Sequence, residues 1–319
     1  MREAIAGVDL GGTSIKVALA NCAGDLLCHA SISTEGHLGA TNVLSRIAEL
    51  LSQLSQKNAV SLKVLGMGVP GLVDVEQGIT KFLPNLPSQW REVPVARQLG
   101  DLLSCQVRVV NDARAATLGE LRFGHGRSCS DATLAFMTLG TGVGGGVAIE
   151  GQLRLGPLGA AGELGHQTIL PEGPRCGCGN RGCLETLASG PAIASAGIRL
   201  MNSGQAPNLH QLVEGDASRV TVVEMAQVAQ QDPLIHAALI DASSYIGIAA
   251  ANVVTILHPD MVVLGGGVAE MGPLLIETVQ SVIQERVGMF PTDHVQVLKS
   301  ELGVKAGVIG AIAIAKDAL

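Results

Sequence analysis

Residues 132–150 read Ala-Thr-Leu-Ala-Phe-Met-Thr-Leu-Gly-Thr-Gly-Val-Gly-Gly-Gly-Val-Ala-Ile-Glu. Gly140, Gly142 and Gly145 satisfy the G-x-G-x-x-G spacing of a dinucleotide-binding turn. Such a turn must open a helix, whose N-terminus receives the pyrophosphate. Here Val147-Ala-Ile-Glu-Gly151 follows, which is β-branched and strand-like. The segment therefore reads as an apolar strand at 133–139, a glycine turn and a return strand at 147–150. A Gly-Lys pair is absent from the sequence, so there is no P-loop, and the protein-kinase signatures are missing as well. What remains is a glycine hairpin, and the chain carries a second one. Residues 4–9 (Ala-Ile-Ala-Gly-Val-Asp) read as a buried strand, Gly11-Gly12-Thr13-Ser14 as a tight turn, and 15–20 as the next strand. Two strand–turn–strand units, one opening each half, form a weak internal repeat and predict two α/β domains.

Outward from the hairpins, a strand is expected near 26–32, and Val43, Ile47, Leu50, Leu51 and Leu54 predict a helix over 41–57. A strand at 63–69 ends in Pro70-Gly71, and a loop runs from Gly78 to Trp90. A helix at 95–103, a strand at 106–110 and a helix at 113–122 complete a first domain. Beyond a cysteine-rich loop, helices are expected at 190–201, 222–229 and 233–256. A strand at 261–264 then opens onto Gly265-Gly266-Gly267, followed by a helix at 272–287, a strand at 294–298 and a helix at 305–317. The last helix is rich in Ala and Gly, which predicts close packing and a return to the first domain. The expected division is 1–122 with 305–319, and 123–304.

A chain of 319 residues suits two domains, and 47% hydrophobic with 15% charged residues describes a globular protein. A net charge of −7 without a basic stripe argues against nucleic acid, as does an aromatic set of four Phe, one Tyr and one Trp. The apolar run Ile246–Leu257 is too short for a membrane span, and Asp9 interrupts the N-terminal apolar run too early for a signal-peptide core. Seven cysteines without a secretory signal fit a reducing, cytoplasmic setting.

The backbone N–H groups of each hairpin can form an anion-binding concavity, to which Thr13 and Thr141 add hydroxyls. Either hairpin alone would be an ordinary turn; two together, with Asp9 at the mouth of one, point to triphosphate. Asp9 would repel phosphate unless Mg²⁺ neutralises it. Asp112 follows a strand and begins a helix, so it is either the helix N-cap or a base that orients a hydroxyl in phosphoryl transfer. Cys176, Cys178 and Cys183, with His166, make a closed three-thiolate, one-imidazole set of the kind a structural Zn²⁺ takes. The alternative is idle thiols or disulfides, which an odd cysteine count suits poorly. Glu163 and His166 are three apart and share a face on a helical turn, and Glu185 returns to the same neighbourhood. Two carboxylates and an imidazole on one stiffened wall suit a polyhydroxyl ligand, a sugar.

Asp9-Leu-Gly-Gly-Thr13, Asn111-Asp112, Leu139-Gly-Thr-Gly-Val-Gly-Gly-Gly146, Glu163-Leu-Gly-His166 and Cys176-Gly-Cys-Gly-Asn-Arg-Gly-Cys-Leu-Glu185 together resemble the ROK (repressor, open reading frame, kinase) family. The resemblance implies a two-domain α/β actin-like ATPase fold, hexokinase-type and ribonuclease H-like, with ATP and sugar in the interdomain cleft. It implies Asp112 as catalytic base, and a sugar held by Gly71, Asn85, Asn111, Asp112, Glu163, His166 and Glu185. Zinc would sit on His166, Cys176, Cys178 and Cys183, with the other His166 nitrogen facing the sugar. ATP and Mg²⁺ would meet Asp9, Gly11, Gly12, Thr13, Lys16, Gly140, Thr141, Gly142, Gly144, Gly265, Gly266 and Gly267. Ser14 departs from the Lys or Asn of many members. Pro84-Asn-Leu-Pro-Ser-Gln-Trp90 resembles the Pro-Asn-Leu-Pro-Gly-Trp loop of the family's bacterial glucokinases, so the expected reaction is phosphorylation of glucose at its 6-hydroxyl. Kinases for N-acetylmannosamine, N-acetylglucosamine, fructose or allose are the alternatives. The family's repressors carry an N-terminal helix-turn-helix domain; the first strand here begins within a few residues of Met1, which speaks against that reading. A homodimer or homotetramer without nucleic-acid or membrane partners is expected.

Overall fold

Ala4, Ile5, Ala6, Val8 and Leu10 are all fully buried, as a strand covered on both faces must be. In the computed structural model, which describes every residue except Pro84 and Ser88, they form β1 (Arg2–Leu10). The chain turns back as antiparallel β2 (Ser14–Asn21), and β3 (Leu26–Ser33) pairs antiparallel beyond it. Helix α1 (Ala40–Lys57) leads to β4 (Val60–Val69), parallel to β1. A small hairpin of β5 (Leu72–Asp74) and β6 (Ile79–Phe82) follows, then α2 (Val95–Leu103) and β7 (Gln106–Asn111), parallel to β4. Helix α3 (Asp112–Phe123) starts on the residue after β7. The pattern restarts with β8 (Leu134–Leu139), β9 (Val143–Ile149) and β10 (Gln152–Leu153). Five helices follow: α4 (Leu184–Ala188), α5 (Gly190–Asn202), α6 (Pro207–Leu212), α7 (Val222–Val228) and α8 (Pro233–Leu257). Then come β11 (Met261–Gly265), α9 (Pro273–Arg286), β12 (Gln296–Lys299) and α10 (Ala306–Lys316).

The sheets run β3-β2-β1-β4-β7 and β10-β9-β8-β11-β12. Counted within its own sheet, each is ordered third, second, first, fourth, fifth: a meander whose first strand takes a parallel partner on its far side. That duplicated order is the actin-like, ribonuclease H-like α/β fold that the family resemblance implies. The return strand of the second hairpin begins at Val143, not at residue 147, so Gly144, Gly145 and Gly146 are strand residues. Glycine carries no side-chain pattern, which is why the sequence placed the strand too late.

Two compact units emerge, one of Met1–Asp131, Val147–Gly162 and Glu301–Leu319, the other of Ala132–Gly146 and Glu163–Ser300. Residues 147–162 therefore group with the first unit, unlike the division drawn at residue 122. Arg122 Nη1 donates to the Gly151 carbonyl at 3.1 Å, Arg114 Nη2 donates to that of Ala160 at 3.0 Å, and Gly159 lies against Val73 and Val75. None of these long-range ties has a local sequence signature. Helix α8 has the length and mean hydropathy (1.5) of a membrane span, with half of that window buried within the protein, as in a core helix.

Helix α10 packs on β1, β4 and α3. A Cβ added to Gly66 of β4 would lie 2.0 Å from the Ala311 carbonyl oxygen. Gly66→Ala is therefore expected to lower the unfolding midpoint of the first unit, at an overpacking cost of about 1–3 kcal/mol or more. Trp90 reports this unit selectively, being the single tryptophan and 1% exposed within its core. A midpoint equal to wild type by tryptophan emission would show that the helix can move off the sheet without loss.

Candidate active site

In the first unit, Asp9 is the penultimate residue of β1 and pairs with Lys16 of β2. Lys16 Nζ stands 3.8 Å from Asp9 Oδ2 and donates to the Val304 carbonyl at 3.0 Å. The carboxylate also lies beside the first turn of α10, where a Cβ on Gly307 would come within 2.6 Å of Oδ2. Burial pushes the Asp9 carboxyl above its ordinary value, and Lys16 opposes that shift. The hairpin closes through the Gly11 N–H on the Ser14 carbonyl (3.0 Å), leaving Gly12 and Thr13 exposed at its tip. The Asn85 carbonyl approaches Gly12, so that loop stands beside the hairpin; Pro84 and Ser88 lie outside the described residues.

The N-cap of α3 is Asn111, not Asp112: its Oδ1 accepts the N–H groups of Ala113 (2.9 Å) and Arg114 (3.3 Å). Asp112 is the first helical residue, with Oδ1 accepting the Ala113 N–H at 2.8 Å. The Asn111 amide donates to the Gly71 carbonyl at 3.2 Å, which brings Gly71, Asn111 and Asp112 together.

In the second unit, Gly140, Thr141 and Gly142 form the turn, with the Gly140 carbonyl accepting the Gly190 N–H at 2.8 Å. Beside it opens a cavity of about 430 Å³, lined by Gly140, Thr141, Pro191, Val220, Val222 and Gly267 among others. A lining that combines glycine-turn backbone with apolar side chains is what a nucleotide's phosphates and base require. Of the Gly265–Gly267 run, Gly265 ends β11, Gly266 makes the turn at φ 86°, and Gly267 lines the cavity; Gly144 lies within β9.

Leu164–His166 forms a short 3₁₀ turn placed directly on β9. Gly165 allows this, since a Cβ there would sit 1.8 Å from the Val143 carbonyl oxygen. Glu185, in α4, reaches the same strand: Oε2 accepts the Val143 N–H at 3.0 Å, while Oε1 is 3.9 Å from Cys176 Sγ. His166 points both ways, with Nε2 4.0 Å from Glu163 Oε2 and Nδ1 3.6 Å from Cys176 Sγ.

The donor atoms of His166, Cys176, Cys178 and Cys183 all lie within 4.8 Å of one another, and the Cys178 and Cys183 sulfurs are 3.7 Å apart. Tetrahedral zinc, with bonds of about 2.3 Å to sulfur and about 2.0 Å to nitrogen, has edges of about 3.8 Å (S···S) and about 3.5 Å (S···N). The cluster fits that ion. Burial pushes the Cys183 thiol up to about 12 and raises Cys176, whereas a hydrogen bond from the Asn180 backbone lowers Cys178. A bound dication displaces these thiol protons.

Arg114 was not anticipated, since an arginine in an alanine-rich helix reads as solvated; it is 1% exposed.

The ROK family profile matches residues 5–318. A glucokinase of Thermotoga maritima is 34% identical over 318 residues, 98% of this chain and 96% of that protein. A xylose repressor of Caldicellulosiruptor bescii is 30% identical over 97% of this chain and 77% of its own length. Among solved structures, a ROK family glucokinase from Streptomyces griseus in complex with glucose and AMPPNP matches with a TM-score of 0.83 at 31% identity, covering 98% of this chain and 99% of that one.

Proposed function

The chain belongs to the ROK family, and from that premise we propose that it transfers the terminal phosphoryl group of ATP to the 6-hydroxyl of glucose. The glucokinase relatives support an ATP-dependent sugar kinase. The observation that carries the reading is the continuity of the second unit's parts. Glu185 accepts the Val143 N–H of β9, the Glu163–His166 turn lies on Val143 through Gly165, and the glycine turn before β9 borders the nucleotide-sized cavity.

In this reading the N–H groups at the two hairpin tips hold phosphate oxygens, and the valines of the cavity wall cover the base. Glu163, Glu185 and His166 Nε2 accept hydrogen bonds from sugar hydroxyls, and the Asn111 amide donates one. As the sugar oxygen bonds to the γ-phosphorus, the bond to the ADP oxygen breaks and the hydroxyl proton passes to an Asp112 carboxylate oxygen. Mg²⁺ near Asp9 would supply the charge that this carboxylate and the phosphates need between them. Zinc on His166, Cys176, Cys178 and Cys183 would stiffen the loop that aims the sugar ligands. A cytoplasmic homodimer or homotetramer completes the proposal.

An ADP-release assay over glucose, N-acetylmannosamine, N-acetylglucosamine, fructose and allose tests it. The largest kcat/KM is expected with glucose. A larger value on a hexosamine would reassign the substrate, and sugar binding without ADP release would move the chain to the repressors' side of the family.

A further inference from the structure

Arg114 sits in the first turn of α3, 1% exposed. Burying a guanidinium costs free energy that hydrogen bonds from its terminal nitrogens offset. One arm, Nη1, donates to Asn111 Oδ1 at 3.1 Å; the other, Nη2, donates to the Ala160 carbonyl at 3.0 Å. Asn111 Oδ1 already caps the helix by accepting the Ala113 and Arg114 N–H groups. With three donors directed at one oxygen, only one orientation of the amide survives: the NH₂ end points away from the helix. One of its two N–H groups goes to the Gly71 carbonyl at 3.2 Å, and the second is the one a ligand hydroxyl would meet.

The Ala160 arm acts on a different segment. Gly156, Gly159 and Gly162 all have positive φ, as does Leu158 at 59°, and the stretch runs directly into Glu163. Backbone of this kind has many alternatives and needs a fixed point. Ala160 has one in the guanidinium.

We propose that Arg114 is a positioning residue for sugar phosphorylation, holding the Asn111 amide with its N–H group toward the sugar and tethering Ala160 ahead of Glu163. The proposal rests on the sugar-kinase reading. Lysine cannot replace it, because a single ammonium lacks the planar fork that serves two acceptors at once.

The test is Arg114→Lys in the full chain, with kcat, sugar KM, ATP KM and thermal midpoint measured beside wild type. Sugar KM is expected to rise about tenfold or more, as for misaligned substrate ligands, while ATP KM stays within about twofold of wild type by the same local argument. A variant that only loosened the fold would move both constants. Asn111→Asp serves as the second variant: aspartate keeps the cap and pairs with the guanidinium, yet has no N–H to donate. Its sugar KM is expected to rise about tenfold with ATP KM unchanged, and the double variant to lose less than the product of the single losses. An unchanged sugar KM in Asn111→Asp overturns the proposal even if Arg114→Lys fails to fold, as does a fully multiplicative double variant. A wild-type protein that phosphorylates no sugar sinks the kinase reading instead; an active wild type with an unaffected Arg114→Lys sinks this proposal alone.

Discussion

Asp112→Asn is expected to lower kcat by about a hundredfold or more, the usual magnitude for a lost general base, with sugar affinity kept within about tenfold. The geometry makes this substitution clean. Asn111 caps α3, so replacing Asp112 removes no cap, and an asparagine oxygen can still accept the Ala113 N–H that Asp112 Oδ1 accepts at 2.8 Å. What disappears is the ability to take a proton and the negative charge that orients the attacking hydroxyl. In a loose phosphoryl-transfer transition state the base does little bond-making, so the loss should stay far below the whole catalytic enhancement. Calorimetry for sugar affinity and single-turnover rates for chemistry separate the two. Turnover close to wild type would reduce Asp112 to a helix-starting residue.

The second large effect is expected from Cys178→Ala. Each unit has an extensive apolar core, so loss of one metal should not unfold the chain as it unfolds a zinc-finger peptide. Cys178 is the exposed thiol of the three, whereas Cys176 and Cys183 are buried and would disturb packing if truncated. The variant should therefore remain folded and bind ATP nearly as wild type does. Its metal content should fall below the roughly one zinc per chain of wild type. Sugar KM should rise and kcat fall, together by on the order of a hundredfold, because ligands displaced by about an ångström lose their alignment. A variant that lost zinc with sugar kinetics intact would break the link between metal and substrate.

The parts legible in the sequence are those with a local physical signature. Helix α1 was expected over 41–57 because Val43, Ile47, Leu50, Leu51 and Leu54 recur at helical spacing, and it runs over Ala40–Lys57. The ligand cluster was legible because thiols and imidazole at that spacing have few other uses. Three features were not. Strands β5 and β6, of three and four residues, are too short to show a period. Strand β9 begins among glycines, which have no side chains to alternate. Residues 147–162 join the first unit through donors on Arg114 and Arg122 to carbonyls far along the chain. Arg114 was invisible for the same reason: its contacts include the Ala160 carbonyl, which only the folded chain brings to it.

Glu185, with one oxygen on the Val143 N–H and the other near Cys176, has a consequence for protein engineering. A Cβ on Gly142 would come within 2.4 Å of Oε2, so the glycine turn and the cysteine loop are fitted to one carboxylate. Grafting residues 163–185 from a relative with a different sugar preference would carry a foreign carboxylate position against the resident turn. A chimera that moves 140–146 together with 163–185 keeps the fit. In recombination terms the two stretches are one cassette, with a crossover point on either side of the pair and none between.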